Sequence, residues 1–163
     1  MAKKLFLSFN YKDDNWRVQT IKNIGSIEEQ PLLSANEWEE IKAGGDDAIE
    51  EWIKEQMKYK SCVVVLIGSN TAGRKWVEYE FKYGWEAGKG VLGIHIHNLK
   101  DSGGNKSSKG SNPLTGFTIG DAAMTSIVKT YDPPYTDSTN VYDYIKSNIE
   151  QWIDEAIEIR SNY

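Results

Sequence analysis

The chain opens with a short apolar run, Leu5-Phe6-Leu7-Ser8-Phe9, whose β-type composition predicts a central strand. In 14–24, Trp16, Val18, Ile21 and Ile24 recur at three- and four-residue spacing behind Asp13 and Asp14. That pattern predicts a helix with an acidic first turn, closed by Gly25. Pro31-Leu32-Leu33-Ser34 reads as a second strand, and the polar stretch 35–45, ending in Gly44-Gly45, as a loop. From Asp46 onward, Ile49, Trp52, Ile53 and Met57 recur at i, i+3, i+4 and i+8, which predicts an amphipathic helix. The unbroken apolar run 62–67 is what a parallel strand buried on both faces requires. A loop at 68–73, a helix at 75–87 and a fourth strand at 91–97 follow. The segment 98–113, rich in Gly, Ser, Asn and Lys, is expected to be a mobile surface loop. A fifth strand at 127–131 and a long amphipathic helix at 140–159, with Val141, Ile145, Ile149, Trp152 and Ile153 on one stripe, complete the chain.

Strands alternating with helices call for an α/β protein, a five-stranded parallel sheet with helices on both faces joined by right-handed crossovers. In such open sheets ligands bind beyond the carboxyl ends of the strands. The candidate site therefore lies among the loops that follow Phe9, Ser34, Ile67 and His97.

Length and charge narrow the function classes. With 163 residues and no linker or repeat, the chain is expected to form one domain, 1–163. The net charge of −5, with Lys and Arg spread along the chain, gives no basic face for nucleic acid. A lone cysteine, Cys62, sits in the apolar run 62–67 and reads as a core residue rather than a nucleophile. The apolar start, read from Met1 onward, has no signal-peptide cleavage site, and no stretch approaches the ~18 apolar residues of a membrane span. A cytoplasmic protein with no membrane partner is expected.

The chemistry concentrates in the third crossover. Trp76 and Glu80 are four residues apart and share one helical face, which Gly84 continues, while Val77, Phe81 and Trp85 form the neighbouring core stripe. A carboxylate at the edge of a buried stripe is positioned for acid–base or electrostatic work. From periodicity alone, an exposed Glu beside a core Trp is the simpler reading. His95 and His97 alternate on one strand and so point the same way, but no Cys or Asp pair stands close enough in sequence to complete a metal site. Gly88-Lys89-Gly90-Val91-Leu92-Gly93 matches a dinucleotide fingerprint in letters only, because it precedes a strand instead of following one.

The ordered set of motifs resembles the TIR-domain family. Leu5-Phe6-Leu7-Ser8-Phe9-Asn10-Tyr11-Lys12-Asp13-Asp14 is similar to the family's first box, Val63-Val64-Val65-Leu66-Ile67-Gly68-Ser69-Asn70-Thr71 to its third strand and loop, and Arg74-Lys75-Trp76-Val77-Glu78-Tyr79-Glu80 to the Trp-x-x-x-Glu element that holds the catalytic glutamate of TIR NADases. With Gly93-Ile94-His95-Ile96-His97, the set is similar to the TIR-like proteins of the bacterial Thoeris anti-phage defence system. The resemblance implies a flavodoxin-like TIR fold and an NAD+ glycohydrolase or ADP-ribosyl cyclase, with NAD+ as substrate and no cofactor or metal. Glu80 would be catalytic, and Phe6, Ser8, Phe9, Asn10, Trp38, Asp47 and Trp76 would bind substrate. The implied product, a cyclic or conjugated ADP-ribose, would reach a separate effector protein by diffusion. Glu78, two residues from Glu80, ranks behind it. Where many TIR domains carry a proline-containing loop, Asn36-Glu37-Trp38-Glu39-Glu40 stands instead, so assembly through that loop is not implied and self-association is left open. Two other readings remain: a non-catalytic TIR-like interaction module, and a nucleoside deoxyribosyltransferase, which shares the broad fold and also uses a Glu.

Overall fold

The computed structural model describes residues 2–163, with the side chain of Ala35 left aside; Met1 lies outside the described residues. The elements run β1 (Lys3–Ser8), α1 (Tyr11–Lys22), β2 (Ile27–Glu28), α2 (Ala35–Ala43), α3 (Asp46–Met57), β3 (Cys62–Ile67), α4 (Lys75–Glu86), β4 (Gly90–His95), a hairpin of β5 (Thr118–Ile119) and β6 (Ala122–Ala123), a single 3-10 turn (Met124–Ser126), β7 (Thr130–Tyr131) and α5 (Ser138–Ser161). The sheet has the order β2-β1-β3-β4-β7 with every pair parallel, the flavodoxin-like arrangement that the alternation predicts.

The alternation of side chains along each strand builds two cores. Leu5, Leu7, Cys62, Val64, Leu66, Leu92 and Ile94 face α1 and α5. Phe6, Val63, Val65, Ile67 and Val91 face α3 and α4. Helix α4 docks on the second face through Val77, Phe81 and Gly84. A Cβ on Gly84 would stand 2.4 Å from Val63 Cγ2, so glycine there sets how closely the helix approaches the sheet. Trp85, expected in the core stripe, is only half-buried, and Arg160 covers its ring at 4.7 Å. The false dinucleotide fingerprint also finds its role: Gly90 lets β4 pass under α5, where a Cβ would meet the Ala156 backbone carbon at 2.8 Å.

The region between β1 and α3 departs from expectation. The second strand is not 31–34 but Ile27–Glu28, paired with Lys3 and Lys4. Beyond it the Gln30 carboxamide takes over the ladder, accepting from Leu7 N at 2.9 Å and donating to Leu7 O at 2.8 Å. Pro31 has no N–H to continue pairing, so the chain leaves the sheet there. Residues 35–43, expected as loop, form α2. Ser34 and Glu37 make a capping box, with Ser34 Oγ accepting from Glu37 N and Glu37 Oε1 accepting from Ser34 N. At the far edge, the fifth strand shrinks to Thr130–Tyr131 because the backbone at 124–128 turns back on itself, with Ile127 N and Val128 N both bonding to Met124 O. The segment 98–113 is irregular, and hydrogen bonds from Arg17 to Leu99 O and Asn105 O and from Ser107 N to His97 O tie it down. No helix of the described residues is long and apolar enough to cross a membrane.

Candidate active site

Glu80 reaches from α4 toward the carboxyl end of β1. The alternation that points Leu5 and Leu7 away turns Ser8 to the α4 side, and Ser8 Oγ donates to Glu80 Oε1 at 2.6 Å. Ser8 is fully buried, while Glu80 is half-buried and lines a small cavity. The walls of that cavity are aromatic and aliphatic: Trp38 from α2, Trp52 from α3, Trp76 from α4, Phe9 and Tyr11 at the end of β1, and Leu32 and Leu33 from the segment that has left the sheet. Trp38 and Trp52 meet edge to face with centroids 6.4 Å apart. Tyr11 Oη donates to Leu33 O at 2.6 Å and fastens the outer wall to α1.

This environment dictates the acid's behaviour. Loss of water around the carboxyl pushes its pKa up to about 8, and the Ser8 hydrogen bond, which favours the ionised form, offsets only part of that rise. No cation lines the cavity to pair with it. A neutral acid at physiological pH that can ionise when a positive group arrives suits charge stabilisation.

The cavity holds 90 Å³ of free volume and adjoins an outer cleft of 730 Å³, with Phe9, Tyr11, Trp38 and Trp76 as shared walls. Lys12, Lys42, Arg74 and Lys75 line the cleft. Lys42 is paired with Glu39 at 3.3 Å and Lys75 with Asp46, while Arg74 Nε donates to Asn70 O at 3.0 Å.

The sequence-predicted residues divide accordingly. Glu80, Phe9, Trp38 and Trp76 line the cavity together. Asn10 lies at the cleft, where its side chain caps α1 and donates to Asn70 O at 3.2 Å. Phe6 is wholly buried and stands behind the site, its ring edge-on to Trp52 at 6.4 Å. Asp47 is exposed in the first turn of α3 and lines neither space. Glu78 faces a separate groove between α3 and α4. Trp52, Tyr11, Gln30, Leu32 and Leu33 complete the cavity without having been singled out in the sequence. Trp52 was legible only as part of the helical stripe of α3, and Gln30 carried no signal at all.

His95 and His97 lie elsewhere, buried at the end of β4 with Nδ1 of each lacking a partner among the described residues. Burial lowers both pKa values, and among the described residues no three His, Cys, Asp or Glu side chains gather as a metal site. Cys62 is buried in β3, which pushes its thiol up and away from nucleophilic use.

Comparison with known proteins gives the chain a family. A protein of Bacillus cereus (strain MSX-D12) named "Putative cyclic ADP-D-ribose synthase ThsB1" is 38% identical over 119 residues, which cover 70% of this chain and 62% of that relative. The match therefore spans less than two thirds of the relative's own length. The family model described as "Thoeris protein ThsB, TIR-like domain" matches residues 6–101, from β1 through α4 and β4 and so across every wall of the Glu80 cavity. The chain belongs to the TIR-like domain family of the Thoeris protein ThsB.

Proposed function

We propose that the chain is a cytoplasmic enzyme that cleaves NAD+ at the nicotinamide–ribose bond, with Glu80 as the catalytic carboxylate. The ADP-ribose moiety is then cyclised or conjugated into a nucleotide that diffuses to a separate anti-phage effector. One observation carries this reading: a carboxyl group without a charged partner stands in a small aromatic cavity, beside a cleft that Lys12 and Arg74 line. NAD+ presents matching chemistry in the same order, a cationic ring, a ribose, then a diphosphate. In this reading Trp38, Trp52 and Trp76 offer aromatic walls to the ring, and Lys12 and Arg74 offer charge to the diphosphate. The relative named for cyclic ADP-D-ribose synthesis supports the same substrate class.

The chemistry follows from the charge. The pyridinium of bound NAD+ favours the ionised form of Glu80 by Coulomb attraction, so binding draws down a pKa that stands at about 8 in the free protein. When the C1′–N bond breaks, its electron pair leaves with neutral nicotinamide, and positive charge passes to the ribosyl C1′ and ring oxygen. A carboxylate held in a dry site stabilises that charge without having to reorganise. A nucleophile then bonds to C1′. Water yields ADP-ribose and a proton; a nitrogen or hydroxyl of the same nucleotide yields a cyclic product and likewise releases a proton, with the nucleophile supplied by the substrate.

The test is NAD+ consumption and product mass in phage-challenged bacteria that express the wild type or Glu80→Gln. Glu80→Gln keeps shape and hydrogen bonding but removes the charge, so turnover is expected to fall by about 100-fold or more. Equal conversion by both proteins would sink the assignment of Glu80. NAD+ left untouched by both, with both folded, would favour the non-catalytic interaction module.

A further inference from the structure

We propose that Ser8 is the positioning residue of Glu80: its hydroxyl, sealed from any ligand, fixes one carboxyl oxygen so that the other is presented to the cavity. This rests on the reading of Glu80 as the catalytic carboxylate. Ser8 is 0% exposed and is not part of the cavity wall, so it cannot touch substrate. Its single side-chain bond goes to Glu80 Oε1, at 2.6 Å. Oε2 makes no hydrogen bond among the described residues and is not among the buried unpartnered atoms, which leaves it open to the cavity.

The fold fixes both ends of this contact. On one side β1 is locked to β3 in the register Leu5↔Cys62 through Ser8↔Val65. On the other, Gln30 clamps both the N–H and the C=O of Leu7, one residue before Ser8. Helix α4 is seated by Val77, Phe81 and Gly84, on either side of Glu80 along the chain. A glutamate side chain has three rotatable bonds, and among the described residues the Glu80 carboxyl makes no side-chain hydrogen bond besides the one from Ser8. The Ser8 hydroxyl is thus what selects one arrangement in advance of substrate, and such preorganisation lowers the barrier. No other charged group shares the cavity. Tyr11 is its only other titratable member, and its hydroxyl is committed to Leu33 O. Lys12 of α1, Glu39 and Lys42 of α2, Asp46 of α3, and Arg74 and Lys75 at the start of α4 all stand outside, in or beside the adjoining cleft and groove.

The experiment compares wild type, Ser8→Ala, Ser8→Cys and Glu80→Gln in full-length protein, by NAD+ cleavage against pH and by ¹³C NMR titration of the Glu80 carboxyl carbon. Removing the donor takes away a bond that favours the carboxylate, so in Ser8→Ala the titration midpoint and the acid limb of activity are expected to move to higher pH. The value of kcat is expected to fall by up to about 100-fold, with KM changed much less. Ser8→Cys keeps the volume with a weaker donor and is expected to fall between. If Ser8→Ala is folded and its titration midpoint matches wild type, the proposal is overturned. If the midpoint moves while Glu80→Gln remains fully active, it is the catalytic reading of Glu80 that fails, and the two failures are separable. The titration needs no turnover, so a purified protein that awaits a trigger still decides the question.

Discussion

Two ionisable sites stand at the carboxyl edge of one sheet, two strands apart in the order β2-β1-β3-β4-β7, and they are built to opposite specifications. At β1, Glu80 has one protein hydrogen bond, no charged partner, and an aromatic cavity in front of it. At β4, His95 and His97 are 6% and 8% exposed, and the segment 98–113 is tied to this edge by the bond from Ser107 N to His97 O. That segment is pinned by Arg17, which is itself buried. Its guanidinium bonds Asp14 Oδ1 at 3.0 Å, Leu99 O at 2.7 Å and Asn105 O at 3.0 Å. The loop approaches so closely that a Cβ on Gly110 would fall 2.1 Å from Gly68 O. Orphaned polar atoms alone therefore do not mark a ligand site. The histidines have them and the Glu80 carboxyl does not, yet it is Glu80 that lines a cavity adjoining an open cleft.

The comparison is broken most forcefully at Arg17. Arg17→Met would leave Asp14, 1% exposed, without its cation, and would strip two carbonyls of the covering loop of their donor. Burial already raises the Asp14 pKa against the pull of Arg17, so the carboxylate depends on this partner. Stability measured by urea unfolding is expected to drop by about 3–5 kcal/mol, as for other broken buried ion pairs. The loop 98–113 should also become a protease target in the variant. A loss below about 1 kcal/mol would mean that the histidine site is sealed by something other than this pair.

The pH dependence of stability sharpens the contrast, because the two sites slope in opposite directions. Glu80 has a raised pKa, so its contribution is complete below the unfolded value of 4.5 and is lost as pH climbs through about 8. The histidines have lowered pKa values, so theirs is complete above 6.5 and is lost as pH falls below it. Thermal melts at pH 5.5, 7 and 8.5 are expected to show Glu80→Gln gaining on wild type toward the alkaline end. A His95→Gln, His97→Gln double variant should instead flatten the acid side. Melting curves of Glu80→Gln that stay parallel to wild type at all three pH values would contradict the desolvation of this acid.

Much of this was legible in the sequence, and what was not has a physical reason. The unbroken apolar run 62–67 and the stripe of α5 fixed the layers, since burial on both faces or on one face writes directly into composition. Trp76 and Glu80 were legible as partners because helical spacing is local. The Ser34-x-x-Glu37 capping box of α2 was present in the sequence, but the polar residues around it read as loop. Gln30 was invisible because its role as a substitute strand exists only once β1 lies beside it, and with it went the reason that 31–33 becomes a cavity wall. Phe6 and Asp47 were assigned to the site by resemblance; alternation does turn Phe6 to the α4 side, but Trp52 covers it there, and the start of α3 leaves Asp47 in solvent.

The smallest effect is expected at Lys109, and it tests whether the two sites are electrostatically independent. Lys109 Nζ meets Asp132 Oδ2 at 2.9 Å, with both side chains well exposed, so Lys109→Ala should cost less than about 1 kcal/mol. Its mark should be found instead on the histidines. Lys109 pushes both of their pKa values down and Asp132 pushes them up. With the lysine gone, the aspartate acts unopposed, and the His95 and His97 ring-proton titrations should move upward, less so in high salt because these charges face solvent. The Glu80 carboxyl owes its raised pKa to desolvation, offset in part by the Ser8 hydrogen bond, so its titration should not follow. A matching shift at Glu80 would mean that charge at the covered edge is felt in the open cavity, and the two sites would have to be treated as one coupled system.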